Sequence, residues 1–332
     1  MMDSPRVSVV TPFYNTVQYL ETAIKSVLSQ SFQDFEYILS DNCSTDGSLE
    51  VAQHYAALDR RVRVYSHAEF VPQIPNYNRA LTYIDPRSQF CKIVQADDWI
   101  YQDCLREMVQ LAQAHPKMVI VSCCYLAGDA IFGAGLPFDR NVFSGTEACR
   151  TRLLAEGTYF GSPTNVMYRA DVVRRTSSFF DENENISDTI ACFQLLADDA
   201  EFGRVPQILA YLRRGNVSIW GRERAMGTAA FNNYALVERF GPRYLSAEEF
   251  KARRSTLEDD YLRMLARAWV GRADPSYWEF HARCMAKLGR TLPRGRIALR
   301  VADYVLDKLG NPRRSMELIF NRLRELRRPS DD

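Results

Sequence analysis

VSVVTPFYN, residues 7–15, is a β-branched run that stops at a proline and an asparagine. Two runs of the same kind follow, FEYILSDNCSTDGS at 35–48 and CKIVQADDW at 91–99, each apolar until it ends in acids and turn residues. Short apolar runs bounded in this way fit strands buried on both faces. Between them, Val17, Leu20, Ile24, Val27 and Leu28 fall on one helical face, as do Leu105, Met108, Val109 and Ala112. Strands are therefore expected at Val7 to Thr11, Phe35 to Ser40, Val62 to Tyr65, Cys91 to Gln95 and Met118 to Cys123. Their alternation with helices is the pattern of a doubly wound α/β domain with a mostly parallel sheet. Ligands of such sheets sit outside the carboxyl ends of the strands, so the segments after each strand carry the functional question.

The surrounding chain sets the frame. Its 332 residues are 46% hydrophobic and 25% charged, which allows a sizeable core and excludes a single small module. Forty-two Lys plus Arg against 41 Asp plus Glu gives +1, so no global field draws the chain to nucleic acid or to an anionic membrane. MMDSPRVSVV lacks the features of a secretory signal, and the mature chain is expected to start there. Met118 to Phe138 is too interrupted by Asp129, glycines and Pro137 for a membrane span and reads as a buried strand and a loop. Eight cysteines without a CxxC pair fit reduced thiols and a cytoplasmic location. Further on, Ser144 to Glu147 resembles a capping box, and Asn165 to Arg169 and Ile208 to Leu212 read as strands. After Trp220 the sequence turns helical and Arg-rich, divided by turns expected at Gly241-Pro242, Asp274-Pro275 and Asn311-Pro312. The boundary is placed near Ser218, giving domains 1–218 and 219–332.

At the end of the first strand, Phe13 and Tyr14 either stack on a planar ligand such as a nucleobase or cap the sheet. At the end of the second, Asp41 can accept hydrogen bonds from a base or ribose, while Asp46 and Gly47 serve equally as a turn and helix cap. The fourth strand ends in Gln95-Ala96-Asp97-Asp98-Trp99. Adjacent carboxylates of this kind suit Mg²⁺ or Mn²⁺, or else form an acidic turn that starts the helix containing Leu105.

In this order and spacing the three blocks resemble the family 2 glycosyltransferases, which have the GT-A fold. The resemblance continues through PNYNRAL at 75–81, GSPTNVMYR at 161–169 and the stretch from Phe179 to Ser218, and covers about the first 215 residues. It implies a GT-A sheet with helices on both faces followed by a helical C-terminal extension. It further implies an inverting transfer from a nucleotide-diphosphate sugar to an acceptor hydroxyl, of the hexosyltransferase type and metal-dependent, in the synthesis of a surface or exported glycan. The acceptor would be a glycan or lipid-linked.

By the same resemblance Tyr14, with Pro12 beside it, lies against the nucleobase, Asp41 reads it, and Asn78 and Ala96 belong to the nucleotide site. Asp97 matches the carboxylate that touches the Mg²⁺ or Mn²⁺ ion. Gln95 stands where the family has an acid that faces the ribose, which leaves hydrogen bonding but removes one negative charge. Asp98 and Trp99 shape the donor-sugar pocket. In Phe180 to Asp188, Ser187 replaces the family's glutamate and Asp188 keeps its aspartate, so Asp188 is the expected catalytic base; capping of the following helix is the alternative role, and Asp181 and Glu182 are the competing carboxylates. Where the family often has Arg-x-His, this chain has Arg213 and Arg214 and no histidine, and an arginine clamp on the diphosphate is expected.

Ten Lys and Arg residues between Arg294 and Arg328 are interleaved with aliphatics. They form either the solvated face of packed helices or a peripheral contact with the inner face of the membrane. Gln95 and Ser187 also leave room for a rival function, a non-catalytic nucleotide- or partner-binding member of the same fold.

Overall fold

A computed structural model of the chain describes residues 6–155, 159–160, 162–176, 178–184, 186–197, 199–214 and 226–310. The chain divides into two compact units, Met1–Asn216 and Val217–Asp332. Ser218, Asn311-Pro312 and the basic residues from Arg313 to Arg328 lie outside the described residues.

In the first unit, β1 (Val7–Phe13), β2 (Phe35–Asp41), β3 (Val62–Ser66) and β4 (Phe90–Ile93) form a parallel block, with β1 and β2 wholly buried. The sheet continues through β5 (Trp99–Ile100), β6 (Met118–Ala127), β9 (Val166–Arg169) and β10 (Glu201–Leu212). Strand order is β3-β2-β1-β4-β9-β6-β10-β5, with β7 (Ala130–Phe132) on β6 and β8 (Val142–Ser144) on β10. The expected mostly parallel sheet is present. The antiparallel strand β9 joins the parallel pair β6 and β10 to the first block.

Helices α1 (Val17–Leu28), α2 (Ser48–Leu58), α3 (Gln73–Leu81) and α4 (Cys104–Ala114) follow the first strands. α1 buries Leu20, Ala23, Ile24 and Val27 at helical spacing and leaves a Glu21–Lys25 pair in solvent. Its first amides find partners in the loop after β2: Thr16 N–H donates to Ser48 Oγ at 2.9 Å and Val17 N–H to Asp46 Oδ2 at 3.0 Å. Farther along lie α5 (Gly145–Leu154), α6 (Ala170–Arg174) and α7 (Ser187–Leu195).

Four readings of the sequence need revision. Asp97 and Asp98 do not open a helix; they form a turn before β5, and α4 starts only at Cys104. The strand expected at Ile208 begins at Glu201, because Pro206 falls at a bulge between Val205 and Ile208 where a missing N–H is tolerated. Met118 to Phe138 holds a strand and a hairpin rather than a strand and a plain loop. Gly241-Pro242 does not break its helix, which runs through the proline and ends two residues later at Tyr244.

The second unit comprises α8 (Thr228–Tyr244), α9 (Ala247–Val270), α10 (Pro275–Lys287) and α11 (Arg294–Gly310). Ser246 and Glu249 form a full capping box on α9, and Asp274 caps α10 with Pro275 in its first turn. Tyr261 and Tyr277 pack on His281, and Phe231 and Tyr234 pack on Tyr261; the His281 ring contacts the Tyr261 hydroxyl at 3.0 Å and the Met226 carbonyl at 2.9 Å. Burial pushes this imidazole down to about 4. On α11, Arg296 pairs with Glu258, and Arg300 with Asp259 and Asp303. Among the described residues no helix is long and apolar enough to cross a membrane.

Gly145 supplies a sharp test of this packing. A Cβ there would lie 2.2 Å from the Leu196 carbonyl oxygen and 3.0 Å from that of Ala200, both backbone atoms that cannot swing aside. Gly145→Ala should destabilise the first unit by about 1–3 kcal/mol, the range for overpacking. Gly295, with open space at its Cβ, should accept alanine with no loss and a gain of at most ~1 kcal/mol. Denaturant midpoints of the two variants check this, and equal midpoints would contradict the placement of Gly145.

Candidate active site

β1 pairs with β4 only as far as Val10–Ile93 but runs along β2 as far as Phe13–Asp41. A crevice therefore opens past Val10 at the carboxyl ends, where the sheet order reverses around β1. Pro12 lies on this opening, opposite Ser40. Asn15 adopts a left-handed φ of 49°, which asparagine tolerates. Its N–H donates to Ser44 Oγ at 3.0 Å, and its side-chain oxygen accepts from Thr45 N–H at 2.8 Å, tying the tips of β1 and β2 together.

Two clusters line the strand ends. In the first, Asp41 is buried and accepts from Ser44 N–H and Ser66 Oγ, both at 3.0 Å. Tyr14 stands exposed at the rim with its ring against Phe70.

The second cluster follows β4. Gln95 Nε2 donates to the buried Tyr77 hydroxyl at 3.0 Å, and Gln73 Nε2 donates to the same oxygen at 3.2 Å. Burial drives the Tyr77 phenol well above its ordinary range. Ala96 packs into the hydrophobic core. Asp98, only 4% exposed, accepts from Thr164 Oγ1 at 2.6 Å and from Arg213 N–H at 2.9 Å. Burial pushes its carboxyl up to about 7, and the neighbouring charge of Asp97 adds to the rise. Asp97 is half-buried, and its backbone carbonyl accepts from Arg213 Nε at 3.1 Å. The Arg213 guanidinium lies 4.4 Å over the Tyr19 ring and 5.5 Å from Trp99, which stacks at 3.8 Å on Tyr211. Arg214 is exposed over Phe132.

Gln95, Asp97, Asp98, Trp99 and Arg213 are thus one connected group, while Pro12, Tyr14 and Asp41 sit at the adjoining tips. Asn78 is bonded within the fold. Its amide donates to the Phe180 carbonyl and accepts from Phe180 N–H, both at 2.8 Å, and it reaches Glu182 at 3.2 Å. It thereby holds the segment that carries Asp181 and Glu182. Asp188 lies in the first turn of α7, where Ile186 is the N-cap and makes no side-chain cap. Its carboxylate accepts from Thr189 N–H at 2.6 Å, and its charge reaches the buried Tyr168.

Thr164, Lys92, Tyr77 and Tyr19 take part without having been singled out in the sequence. Thr164 accepts from Gln95 N–H at 3.1 Å while donating to Asp98, and the fully buried Lys92 ammonium donates to the Thr164 carbonyl at 2.6 Å. Thr164 and Tyr77 do lie in the blocks 161–169 and 75–81, the one signal that could have found them. Among the described residues no group of three or more His, Cys, Asp or Glu is placed to hold a metal ion. Asp97 beside a committed Asp98 still fits Mg²⁺ or Mn²⁺, which take one or two carboxylates and complete their shell with water and phosphate oxygens.

Several known proteins are similar to this chain. Glycosyltransferase GlyG of Streptococcus pneumoniae is 30% identical over 122 residues, 37% of this chain and 40% of that protein. The poly(ribitol-phosphate) beta-N-acetylglucosaminyltransferase TarS of Staphylococcus aureus is 26% identical over 178 residues, 53% of this chain and 29% of that protein. The chain spans about half the length of the curated relatives it matches. Among solved structures, TarS 1–349 in complex with UDP-GlcNAc superposes with a TM-score of 0.62 at 15% identity, covering 85% of this chain and 80% of that one. The mannosyltransferase PcManGT of Pyrobaculum calidifontis, in complex with GDP-Man and Mn²⁺, gives 0.54 at 17% identity, covering 95% and 84%. These likenesses show the GT-A fold. Residues 8–176 match the family described as glycosyl transferase family 2, and with half of its length in that match the chain belongs to this family.

Proposed function

We propose that the chain is an inverting transferase that moves a sugar from a nucleotide-diphosphate donor to an acceptor hydroxyl, in the assembly of a surface or exported glycan. The observation that carries this reading is the placement of an acid and a cation side by side in the crevice, with Arg213 held against the rings of Tyr19 and Trp99 and hydrogen-bonded to the Asp97 backbone carbonyl. TarS and the mannosyltransferase, both bound to nucleotide sugars, support the donor class.

In this scheme the leaving group is the diphosphate. Arg213 receives it as a preorganised cation that needs no rearrangement when charge develops, and Arg214 adds a second, exposed one. A divalent ion on Asp97 would neutralise further charge on the same oxygens. Asp98 works indirectly: through Thr164 and the Arg213 amide it fixes the loop that presents Asp97. Asp188 takes the acceptor proton, with its carboxylate oriented by the Thr189 amide.

Two measurements test this assignment. Nucleoside diphosphate affinity should fall on chelation in the wild type but not in Asp97→Ala; equal wild-type affinities with and without metal would move phosphate binding to the arginines alone. Asp188→Asn should slow transfer by about 10²- to 10⁴-fold at unchanged donor affinity. Retained transfer would make Asp181 and Glu182 the candidates.

Asp98 gives a pH dependence. Because its folded pKa is raised, the native state holds a proton that the unfolded chain releases between about pH 4 and 7. Stability on this account is favoured at low pH and is lost as pH rises through 7. With chelator present, Asp98→Asn should therefore gain on the wild type in melting temperature from pH 5 to pH 8. A difference that does not change with pH would refute the raised carboxyl.

A further inference from the structure

Phe70 is 56% exposed, and its ring centroid lies 4.6 Å from that of Tyr14, itself 43% exposed. The segment that carries it is held firmly. Asn42, buried at the tip of β2, donates to the Val71 carbonyl at 2.7 Å and accepts from Val71 N–H at 3.1 Å, while Arg79 anchors the same Asn42 oxygen at 3.0 Å. His67 N–H donates to the Asp41 carbonyl at 3.2 Å. A buried hydrogen-bonded clamp thus fixes a loop whose large ring faces water, beside a second ring and at the tip that carries Asp41. The packing of the core does not require this, since the ring contributes little to it.

Resting on the nucleotide-donor reading above, we infer that Phe70 is a further donor-binding residue, an aromatic surface that the donor's nucleobase meets beside Tyr14, whose ring it faces at 55°. Strand order gives the direction. Tyr14, Asp41 and Phe70 follow β1, β2 and β3, and the charged group of Asp97 and Arg213 follows β4 and β10 on the other side of β1. From β3 to β4 is three strand spacings, about 14 Å. The aromatic end of the crevice and the end that holds Asp97 and Arg213 are thereby separated, as a ligand with a planar base at one end and phosphates at the other requires. A phosphate makes no use of a two-ring surface remote from Asp97 and Arg213.

The test is calorimetric titration of the full chain with UDP, GDP, ADP and inorganic pyrophosphate, each with Mn²⁺, for wild type, Phe70→Ala and Phe70→Tyr, with melting temperatures on the same samples. Base–aromatic stacking predicts that Phe70→Ala weakens the nucleoside diphosphate preferred by the wild type about 5- to 150-fold. Its pyrophosphate affinity and melting temperature should hold, and Phe70→Tyr should stay close to wild type. Unchanged nucleotide affinity in Phe70→Ala would overturn the inference while leaving the donor reading intact. An equal loss for nucleotide and pyrophosphate would overturn it as well, because the defect would not be at the base. A wild type that takes pyrophosphate but none of the three nucleotides would overturn both.

Discussion

The crevice depends on one buried carboxylate. Asp98 joins three segments that are distant in the chain: its own turn after β4, the 163–165 turn through the Thr164 hydroxyl, and the end of β10 through the Arg213 amide. Burying an acid is unfavourable unless donors meet it, and here two meet it on opposite oxygens. Below it the buried Lys92 ammonium grips the Thr164 carbonyl, so Thr164 is held by its backbone on one side and by its hydroxyl on the other. The turn that shows Asp97 to the crevice and the strand end that shows Arg213 are thereby fixed relative to each other. Neither charge could be preorganised if Asp98 were free to move.

That arrangement explains why two neighbouring acids behave differently. Asp98 is consumed by the fold, and its carboxyl is pushed to about 7 by burial and by the charge beside it. Asp97 is left half-buried at the crevice. Read from the sequence, the pair is symmetrical; the difference is set by Thr164, 66 residues away, and by the Arg213 amide, 115 residues away. No local pattern encodes it.

The same contrast governs what else the sequence reveals. β1, β2 and α1 are legible because their apolar residues are continuous or recur at helical spacing, and the strand-end rule then points to the correct loops. The first half of β10 is hidden because Gly203, Arg204 and Pro206 interrupt its apolar residues. Yet Arg204 is fully buried, donating to the Leu136 and Pro137 carbonyls. A buried arginine is justified only by partners far off in sequence. β5, two residues long, is too short to leave a pattern, although its pairing of Trp99 with Tyr211 builds the aromatic wall beside Arg213.

Gln95 completes the electrostatic argument. An acid at this position would share its hydrogen-bond partner Tyr77 with a donating Gln73, but would add a second negative charge close to Asp97. The amide keeps the bond to Tyr77 without that charge. With Gln95 neutral and the Asp98 carboxyl pushed up by burial, the crevice carries less negative charge than two freely ionised acids would give it, and the Arg213 guanidinium lies beside it. Such a site attracts a divalent cation less strongly than one with two ionised acids and repels a diphosphate less. On the proposed function, an amide in place of an acid and a clamped arginine therefore act in the same direction, shifting the stabilisation of phosphate charge from a bound ion toward the protein's own cation.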